Sequence, residues 1–157
     1  MPSFPQTGGC LCGDIRYSLS EDPVTVYACH CTDCQTETGS AFYLSVVVKA
    51  DALEYTKGKP SAYEVRLEDG RSKGAYYCER CKSRVGGAGS VPGIASVDGG
   101  SLDDTSWLVP AGHIWTRSAQ SWIQLADESL KFSMEPREED FLSLVRAWKT
   151  TPRTTPG

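Results

Sequence analysis

Short runs of alternating apolar and polar residues fill most of the chain. Over residues 10–18 the odd positions carry Leu11, Ile15 and Tyr17, whereas the even positions are mostly polar or Cys. This period of two predicts a half-buried β-strand. Other runs rich in β-branched and aromatic residues, bounded by Gly, Pro, Asp or Ser, predict further strands. They cover residues 24–29, 41–48, 62–67, 74–78, 113–116 and 121–125. We therefore expect a mainly β protein.

Glycine and helical periodicity mark the remaining segments. Six of the 15 glycines lie within residues 86–100, which predicts a mobile loop with a short strand at 94–97. Near the end, Phe141, Leu144, Val145 and Trp148 recur at helical spacing. Pro136 and three acidic residues precede them, as is typical of a helix start. We predict one C-terminal helix over about 136–148.

Length and composition favour one domain over residues 1–149. The chain has 157 residues, enough for a real hydrophobic core. The Thr- and Pro-rich residues 150–157 have too little apolar surface to order themselves and are expected to form a flexible tail.

The charge balance gives no reason to expect nucleic acid or membrane partners. Twenty acidic and 16 basic residues give a net charge of -4, which favours a small-molecule or protein partner. The first residues lack a secretion signal, and the longest apolar stretch, 41–48, is too short to cross a bilayer. We expect a soluble, cytoplasmic protein whose oligomeric state the sequence leaves open.

Seven cysteines in three clusters carry the chemistry of this chain. In a reducing compartment disulfides are unfavourable, and an odd number of cysteines cannot pair completely, so metal binding is the leading interpretation. The clusters are Cys10-Leu-Cys12, Cys29-His-Cys31-Thr-Asp-Cys34 and Cys78-Glu-Arg-Cys81.

The spacing within these clusters suits zinc. Cys-x-x-Cys grips one ion from a tight turn, and Cys-x-Cys on an extended strand places alternate sulfurs on one face. Such a strand would turn His30 away from the metal that Cys29 and Cys31 hold. Two tetrahedral sites need eight ligands, so seven thiolates leave one position open to water or substrate, as in a reactive zinc site.

The count alone does not decide which clusters combine. Joining Cys31 and Cys34 with Cys78 and Cys81 would give a zinc-ribbon-like site and leave an incomplete remainder. Keeping the sequence-adjacent trio of the second cluster together is more economical.

The order of these clusters resembles the glutathione-dependent formaldehyde-activating (GFA) family, also called the centromere protein V domain. The block Gly100-Ser-Leu-Asp-Asp, followed by His113-Ile-Trp and Trp122, resembles the later part of that domain, so the likeness covers about residues 8–125. The resemblance implies a β-rich Mss4-like, or β-tent, fold.

The same resemblance implies the metal ligands and the activity. It assigns Cys10, Cys12, Cys78 and Cys81 to a structural zinc, and Cys29, Cys31 and Cys34 to a catalytic zinc. Characterised members are S-(hydroxymethyl)glutathione synthases, carbon–sulfur lyases in which the glutathione thiol adds to formaldehyde. The implied cofactor is therefore zinc, two ions per chain, and the implied partner is a small thiol, with glutathione as the expected one.

Polar residues outside the cysteines are weaker candidates. A basic cluster around the last Cys-x-x-Cys could bind glutathione carboxylates, although a solvated basic face is the favoured interpretation. His113 could reach the open zinc position, but a hydrogen-bonded, partly buried histidine is favoured. For His30 an ordinary surface or hydrogen-bonded histidine is favoured. Asp103 and Asp104 are expected to make a turn. The basic cluster comprises Arg71, Lys73, Arg80, Lys82 and Arg84.

Aromatic residues should mostly be core, because their apolar area dominates a small β domain. The set considered comprises Tyr76, Tyr77, Trp107, Trp115 and Trp122.

Two further functions compete with the enzyme. One is a non-enzymatic interaction module, since fold does not fix function. The other is a zinc protein whose second site stores or senses metal or redox state. The acidic balance and the absence of a basic extension favour the enzyme.

Overall fold

The computed structural model describes residues 2–87 and 91–153, and these form the mainly β architecture with a C-terminal helix that the sequence predicts. Eleven strands lie within the described ranges, in three small sheets of order β1-β2-β5, β11-β10-β3-β4-β9 and β6-β7-β8. The strands are β1 (Gln6–Gly9), β2 (Arg16–Leu19), β3 (Thr25–Cys29), β4 (Tyr43–Lys49), β5 (Leu53–Lys57), β6 (Ser61–Arg66), β7 (Ser72–Tyr77), β8 (Arg84–Gly87), β9 (Ile94–Asp98), β10 (Gly112–Ile114) and β11 (Leu130–Lys131). The helices are α1 (Thr32–Thr38) and α2 (Glu138–Thr150).

The five-stranded sheet has one apolar and one mixed face. Val26 of β3 pairs with Val46 of β4, which pairs with Val97 of β9, and all three side chains are fully buried. Side chains alternate between faces along a strand. Cys29 and Tyr43 are an odd number of positions from Val26 and Val46, so they point to the opposite face of the sheet. The apolar face forms the main core, and the other face is available to a site.

Helix α2 closes the core from one side. Leu144 and Trp148 are fully buried, as their helical spacing predicts, and the Trp148 ring lies 6.2 Å from that of Trp107. The helix begins two residues later than predicted and continues to Thr150. Arg153 is also buried, with its guanidinium 4.3 Å from the Trp148 ring centroid. The predicted flexible tail therefore includes ordered residues up to 153, and 154–157 lie outside the described residues.

One predicted strand is wrong in its first part, and another is wrong entirely. Of the strand predicted over residues 10–18, only residues 16–18 lie in a strand, β2. Residues 10–15 form a turn between β1 and β2, closed by the Cys10 N–H donating to the Ile15 carbonyl at 3.1 Å, with Gly13 at φ +81°. Leu11, which helped to create the alternating pattern, is 88% exposed. Residues 121–125 form no strand: residues 121–122 belong to a turn, and Trp122 is 71% exposed.

Most other predictions are confirmed. Strands β3, β4, β6, β7, β9 and β10 lie within two residues of the predicted bounds at each end. Helix α1 and strands β1, β5, β8 and β11 were not predicted. The predicted loop 86–100 contains the end of β8 and all of β9, and 88–90 lie outside the described residues.

Within 2–87 and 91–153, none of the helices combines the length and the apolar character needed to cross a bilayer.

Candidate metal centres

Four sulfurs from two distant turns converge at one end of the molecule. Cys10 and Cys12 lie in the β1–β2 turn, and Cys78 and Cys81 lie in the turn between β7 and β8, with all four Sγ atoms within 4.8 Å of one another. The Cys12 Sγ lies 3.6 Å from that of Cys10 and 3.7 Å from that of Cys78. A tetrahedron with Zn–S bonds of about 2.3 Å would place its sulfurs about 3.8 Å apart. The donor set and its spacing fit a closed zinc site.

Backbone donors prepare these sulfurs for a cation. The Ile15 N–H donates to the Cys10 Sγ at 3.2 Å and helps to lower the pKa of Cys10, although burial opposes ionisation. The Ser83 hydroxyl, 3.0 Å from the Cys81 Sγ, lowers the pKa of Cys81 to about 5. The Asp14 backbone N–H favours the Cys12 thiolate, but burial and the neighbouring sulfurs raise the pKa of Cys12 to about 12. Four thiolates this close therefore need a bound cation.

The structure groups the four cysteines that the resemblance assigns to one zinc ion, but the local geometry differs from the prediction. Cys10 and Cys12 lie in a turn rather than on a strand. The zinc-ribbon alternative is wrong, because Cys31 and Cys34 do not belong to this group.

The remaining three sulfurs meet where β3 runs into α1. Cys29 ends β3, Cys31 is the N-cap of α1, and Cys34 lies in its first turn. The Cys34 N–H donates to the Cys31 Sγ at 3.3 Å, so the helix cap is itself a metal-ligand candidate. All three side chains are buried and their sulfurs lie within 4.8 Å of one another. In the part of the chain that the structure describes, no other Cys, His, Asp or Glu joins this trio.

The trio is a concentrated negative site once ionised. Hydrogen bonds from the Cys29 and Cys34 thiols lower the pKa of Cys31 to about 2, helped by the Cys34 N–H and by the nearby Lys73. Cys29, Cys31 and burial raise the pKa of Cys34, although Lys73 acts to lower it. Three thiolates together therefore require a cation, as the four do. Three soft thiolate donors suit a zinc site with an open position.

Lys73 of β7 lies directly beside the trio. Its Nζ is 3.9 Å from both the Cys31 Sγ and the Cys34 Sγ. Burial acts to lower the pKa of Lys73, but the three sulfurs outweigh it and raise that pKa. For Lys73 the prediction of a solvated basic face is wrong.

The other members of the basic cluster differ among themselves. Arg84 is also not solvated: it is largely buried and binds Glu37 at 2.8 Å and Asp98 at 3.1 Å. Arg80 and Lys82 have side chains 71% and 67% exposed, as expected of a solvated face.

A cleft of about 420 Å³ opens on the Cys31 side of the trio. Trp115 lines it in the left-handed conformation, at φ +56°, which is strained for a large side chain. Two guanidinium groups lie near its ring, with the carbon of Arg71 at 6.0 Å and that of Arg117 at 5.0 Å from the centroid. Its indole N–H donates to Glu135 at 2.7 Å, and Arg71 is paired with Asp69 at 2.7 Å. The cleft therefore combines an aromatic surface with both cations and carboxylates.

The two histidines form a pair beside the trio. His30 is fully buried, and its Nε2 lies 2.9 Å from the Nδ1 of His113. Burial lowers the pKa of both rings, that of His113 to about 4, where His30 and Lys131 contribute. This confirms the interpretation of hydrogen-bonded histidines, and neither is grouped with the trio.

The remaining predicted residues have structural positions. Asp104 accepts from the Ser106 N–H at 2.9 Å in a turn, as expected, whereas Asp103 pairs with Arg16 across the chain. The expectation that most of the aromatic set is core is wrong: Trp107 is fully buried, whereas Trp122 is 71% exposed. Tyr77 and Trp115 are partly buried, and Tyr76 is 36% exposed.

Sequence reasoning missed Tyr43, Arg117 and Glu135, which line the cavities around the trio. For Tyr43 a signal was available. Tyr43 and Ser45 interrupt the apolar run 41–48 at alternate positions, which indicates one polar face on β4.

Comparison with known proteins agrees with the site. The model of the family described as glutathione-dependent formaldehyde-activating enzyme matches residues 5–118. None of the curated proteins compared matches the chain. A crystal structure of a Rhodobacter sphaeroides protein, a structural genomics target, is similar at 13% identity and a TM-score of 0.48, over 80% of this chain and 98% of that chain. Because the family model spans most of the chain and contains all seven cysteines, this protein belongs to the glutathione-dependent formaldehyde-activating enzyme family.

Proposed function

We propose that the chain is a zinc-dependent carbon–sulfur lyase that adds a glutathione-like thiol to formaldehyde or a related small aldehyde, like an S-(hydroxymethyl)glutathione synthase. The observation that carries the proposal is the buried trio of Cys29, Cys31 and Cys34 beside a cleft whose wall includes Trp115 and two arginines. Family membership supports the reaction type.

The two cysteine groups would hold one zinc ion each. Cys10, Cys12, Cys78 and Cys81 would hold a structural ion, and the trio would hold the catalytic ion. A zinc ion with an open position supplies Lewis acidity and lowers the pKa of a bound thiol. Both sites need reduced cysteines, which supports the proposed cytoplasmic location.

Residues of this chain would bind and orient the thiol. Glutathione carries two carboxylates, and the Arg117 guanidinium beside Trp115 would suit one of them. Arg71 would bind the other by exchanging its present partner Asp69. Lys73, at 3.9 Å from two sulfurs, would offset the charge of the trio and favour approach of a thiolate. Burial of the trio limits its contact with bulk water.

The alternative is a zinc module that binds a partner or senses metal or redox state without catalysis. It predicts the same two ions per chain. It differs in predicting no acceleration of thiol addition by the purified protein.

Metal analysis and exchange NMR test the proposal together. We expect two zinc ions per chain, and faster exchange between free glutathione and its formaldehyde adduct than in buffer. Cys31→Ser should lose this acceleration and keep the fold, because the four-sulfur site remains intact. Cys78→Ser should unfold the protein, because that ion joins two distant turns.

Ser106→Ala, in the turn at Asp104, serves as a control and should resemble the wild type. A zinc-loaded, folded wild type that leaves the exchange rate at its buffer value would refute the enzyme. If Cys31→Ser and Cys78→Ser had the same effect on folding and on activity, the assignment of the sulfurs to one catalytic and one structural site would be refuted.

A further inference from the structure

A second cavity lies beside the trio, between two sheets, and Glu135 lines both this cavity and the cleft. Its volume is about 190 Å³, and Cys29 and Cys34 are at its wall. The register places Tyr43 opposite Cys29, and directly opposed residues on neighbouring strands share a face. The mixed face of the five-stranded sheet therefore forms the floor of this inter-sheet cavity.

The floor is rich in hydroxyl groups. Tyr27 pairs with Ser45 one step further along the same strands, so both share the face of Cys29 and Tyr43. Ser96 of β9 also lines the cavity. A polar ligand would find more hydrogen-bond partners here than an alkyl chain would.

Strands β7 and β8 of the three-stranded sheet form the roof. They contribute Lys73 at the sulfur end, where its Nζ is 3.9 Å from the Cys34 Sγ. Gly87 lies near the Tyr43 hydroxyl, since a Cβ built on Gly87 would be 3.4 Å from that oxygen. Arg84 also lines the cavity, but it is paired with Glu37 at 2.8 Å. The cavity thus has Lys73 near the trio and the Tyr43 hydroxyl near Gly87.

The Tyr43 hydroxyl has an unused donor. It is buried and has no hydrogen-bond partner among the described residues. Buried polar groups are normally paired, and an unpaired one calls for a ligand or a water molecule. Asp98 Oδ1 is likewise buried without a partner, so a direct bond between Tyr43 and Asp98 is the competing explanation.

The cavity is large for formaldehyde. At about 30 Å³ per water molecule, 190 Å³ corresponds to roughly six water-sized groups, whereas formaldehyde has two heavy atoms. An aldehyde of two or three carbons that carries a second oxygen uses both the volume and the hydroxyl groups.

We propose that the inter-sheet cavity binds the aldehyde, and that it favours two- or three-carbon aldehydes bearing a hydroxyl group over alkyl aldehydes of equal size. The inference rests on the proposed function. The carbonyl oxygen lies towards Lys73 at the sulfur end, and the second oxygen accepts from Tyr43.

The addition is balanced without another reactant. The thiol sulfur forms a bond to the carbonyl carbon, and the carbon–oxygen π bond opens. The proton that leaves the thiol is gained by the carbonyl oxygen. Lys73 favours the negative charge that develops on that oxygen.

Glycolaldehyde and propanal provide a matched pair, because each has four heavy atoms and only the first has a hydroxyl group. With zinc-loaded protein and glutathione, exchange NMR should give a kcat/KM for glycolaldehyde about tenfold above that for propanal, after division by the uncatalysed rates. Tyr43→Phe should reduce this ratio to about one, since one hydrogen bond accounts for it. Lys82→Met, on an exposed side chain, should leave the ratio unchanged.

Equal values for the two aldehydes, with formaldehyde accelerated, would overturn the inference and leave the proposed function intact. Acceleration of none of the three would overturn the proposed function. A binding measurement then tests, independently of activity, whether the cavity binds the hydroxyl-bearing ligand. Glycolamide, an inert analogue, should shift the NMR signals of Tyr43 and bind about tenfold more weakly to Tyr43→Phe than to the wild type. Equal binding to both proteins, as expected if Tyr43 bonds to Asp98, would overturn the inference.

Discussion

Among the described residues, Lys73 is the cation whose ammonium lies beside the sulfur trio, and Lys73→Met removes it. Its Nζ lies 3.9 Å from two sulfurs. Three thiolates and one divalent zinc ion would carry a net charge of -1, so Lys73 would bring the site close to neutral. At 3.9 Å the attraction between unit charges is about 1 kcal/mol in water and about 4 kcal/mol at an effective dielectric constant of 20. Lys73 is partly buried, so its contribution falls between these limits.

The loss should appear in catalysis rather than in metal binding. Thiolate and developing alkoxide both add negative charge beside the trio, so Lys73→Met should lower kcat/KM by at least about fivefold, and by up to about a thousandfold at the upper limit. Before zinc binds, a trio with one ionised thiol carries a charge of -1. Zinc adds two positive charges and two protons are released, so the charge stays at -1 and the loss of Lys73 should change the zinc content little. The assay is exchange NMR with metal analysis of the same samples.

Two controls make this prediction specific. Lys73→Arg keeps the charge and should retain more activity than Lys73→Met. Lys82→Met removes an exposed lysine paired with Glu79 and should match the wild type. A Lys73→Met protein with full zinc and unchanged kcat/KM would show that this ammonium plays no part in the reaction.

Three further predictions concern stability. Arg84→Met leaves Glu37 and Asp98 largely buried without their cation and should lower the free energy of unfolding by about 3–5 kcal/mol in urea titrations; a loss below about 1 kcal/mol would contradict a buried network. The pKa of His113 is lowered to about 4 from the ordinary 6.5, mainly by burial, so stability should be lost as pH falls from about 6.5 towards 4. That loss is at most about 3 kcal/mol, and it should shrink in His113→Asn; an identical pH profile for both proteins would contradict it. Trp148→Ala empties a fully buried site and should cost about 3–5 kcal/mol in urea titrations, whereas Leu142→Ala, at 49% exposure, should stay within about 0.5 kcal/mol.

Local sequence patterns predicted most of the secondary structure. The β-branched runs predicted β3 and β4 because strand side chains alternate, and the 3.6-residue spacing predicted α2 because one face of the helix is buried. The pattern failed over residues 10–15, where Leu11 is exposed and a turn that carries two of the four grouped cysteines replaces a strand. Periodicity reports burial within one element and does not recognise a turn that brings cysteine sulfurs together.

The number and spacing of the cysteines indicated two zinc sites, one of them incomplete. The resemblance supplied the partition of the ligands, because Cys10 and Cys78 are far apart in sequence and no local pattern links them. Only the tertiary structure brought β7 over the trio, so that Lys73 lies beside Cys34, and placed Tyr43 opposite Cys29. These contacts depend on strand register and sheet packing, and long-range pairing of this kind is not encoded in any single stretch of sequence.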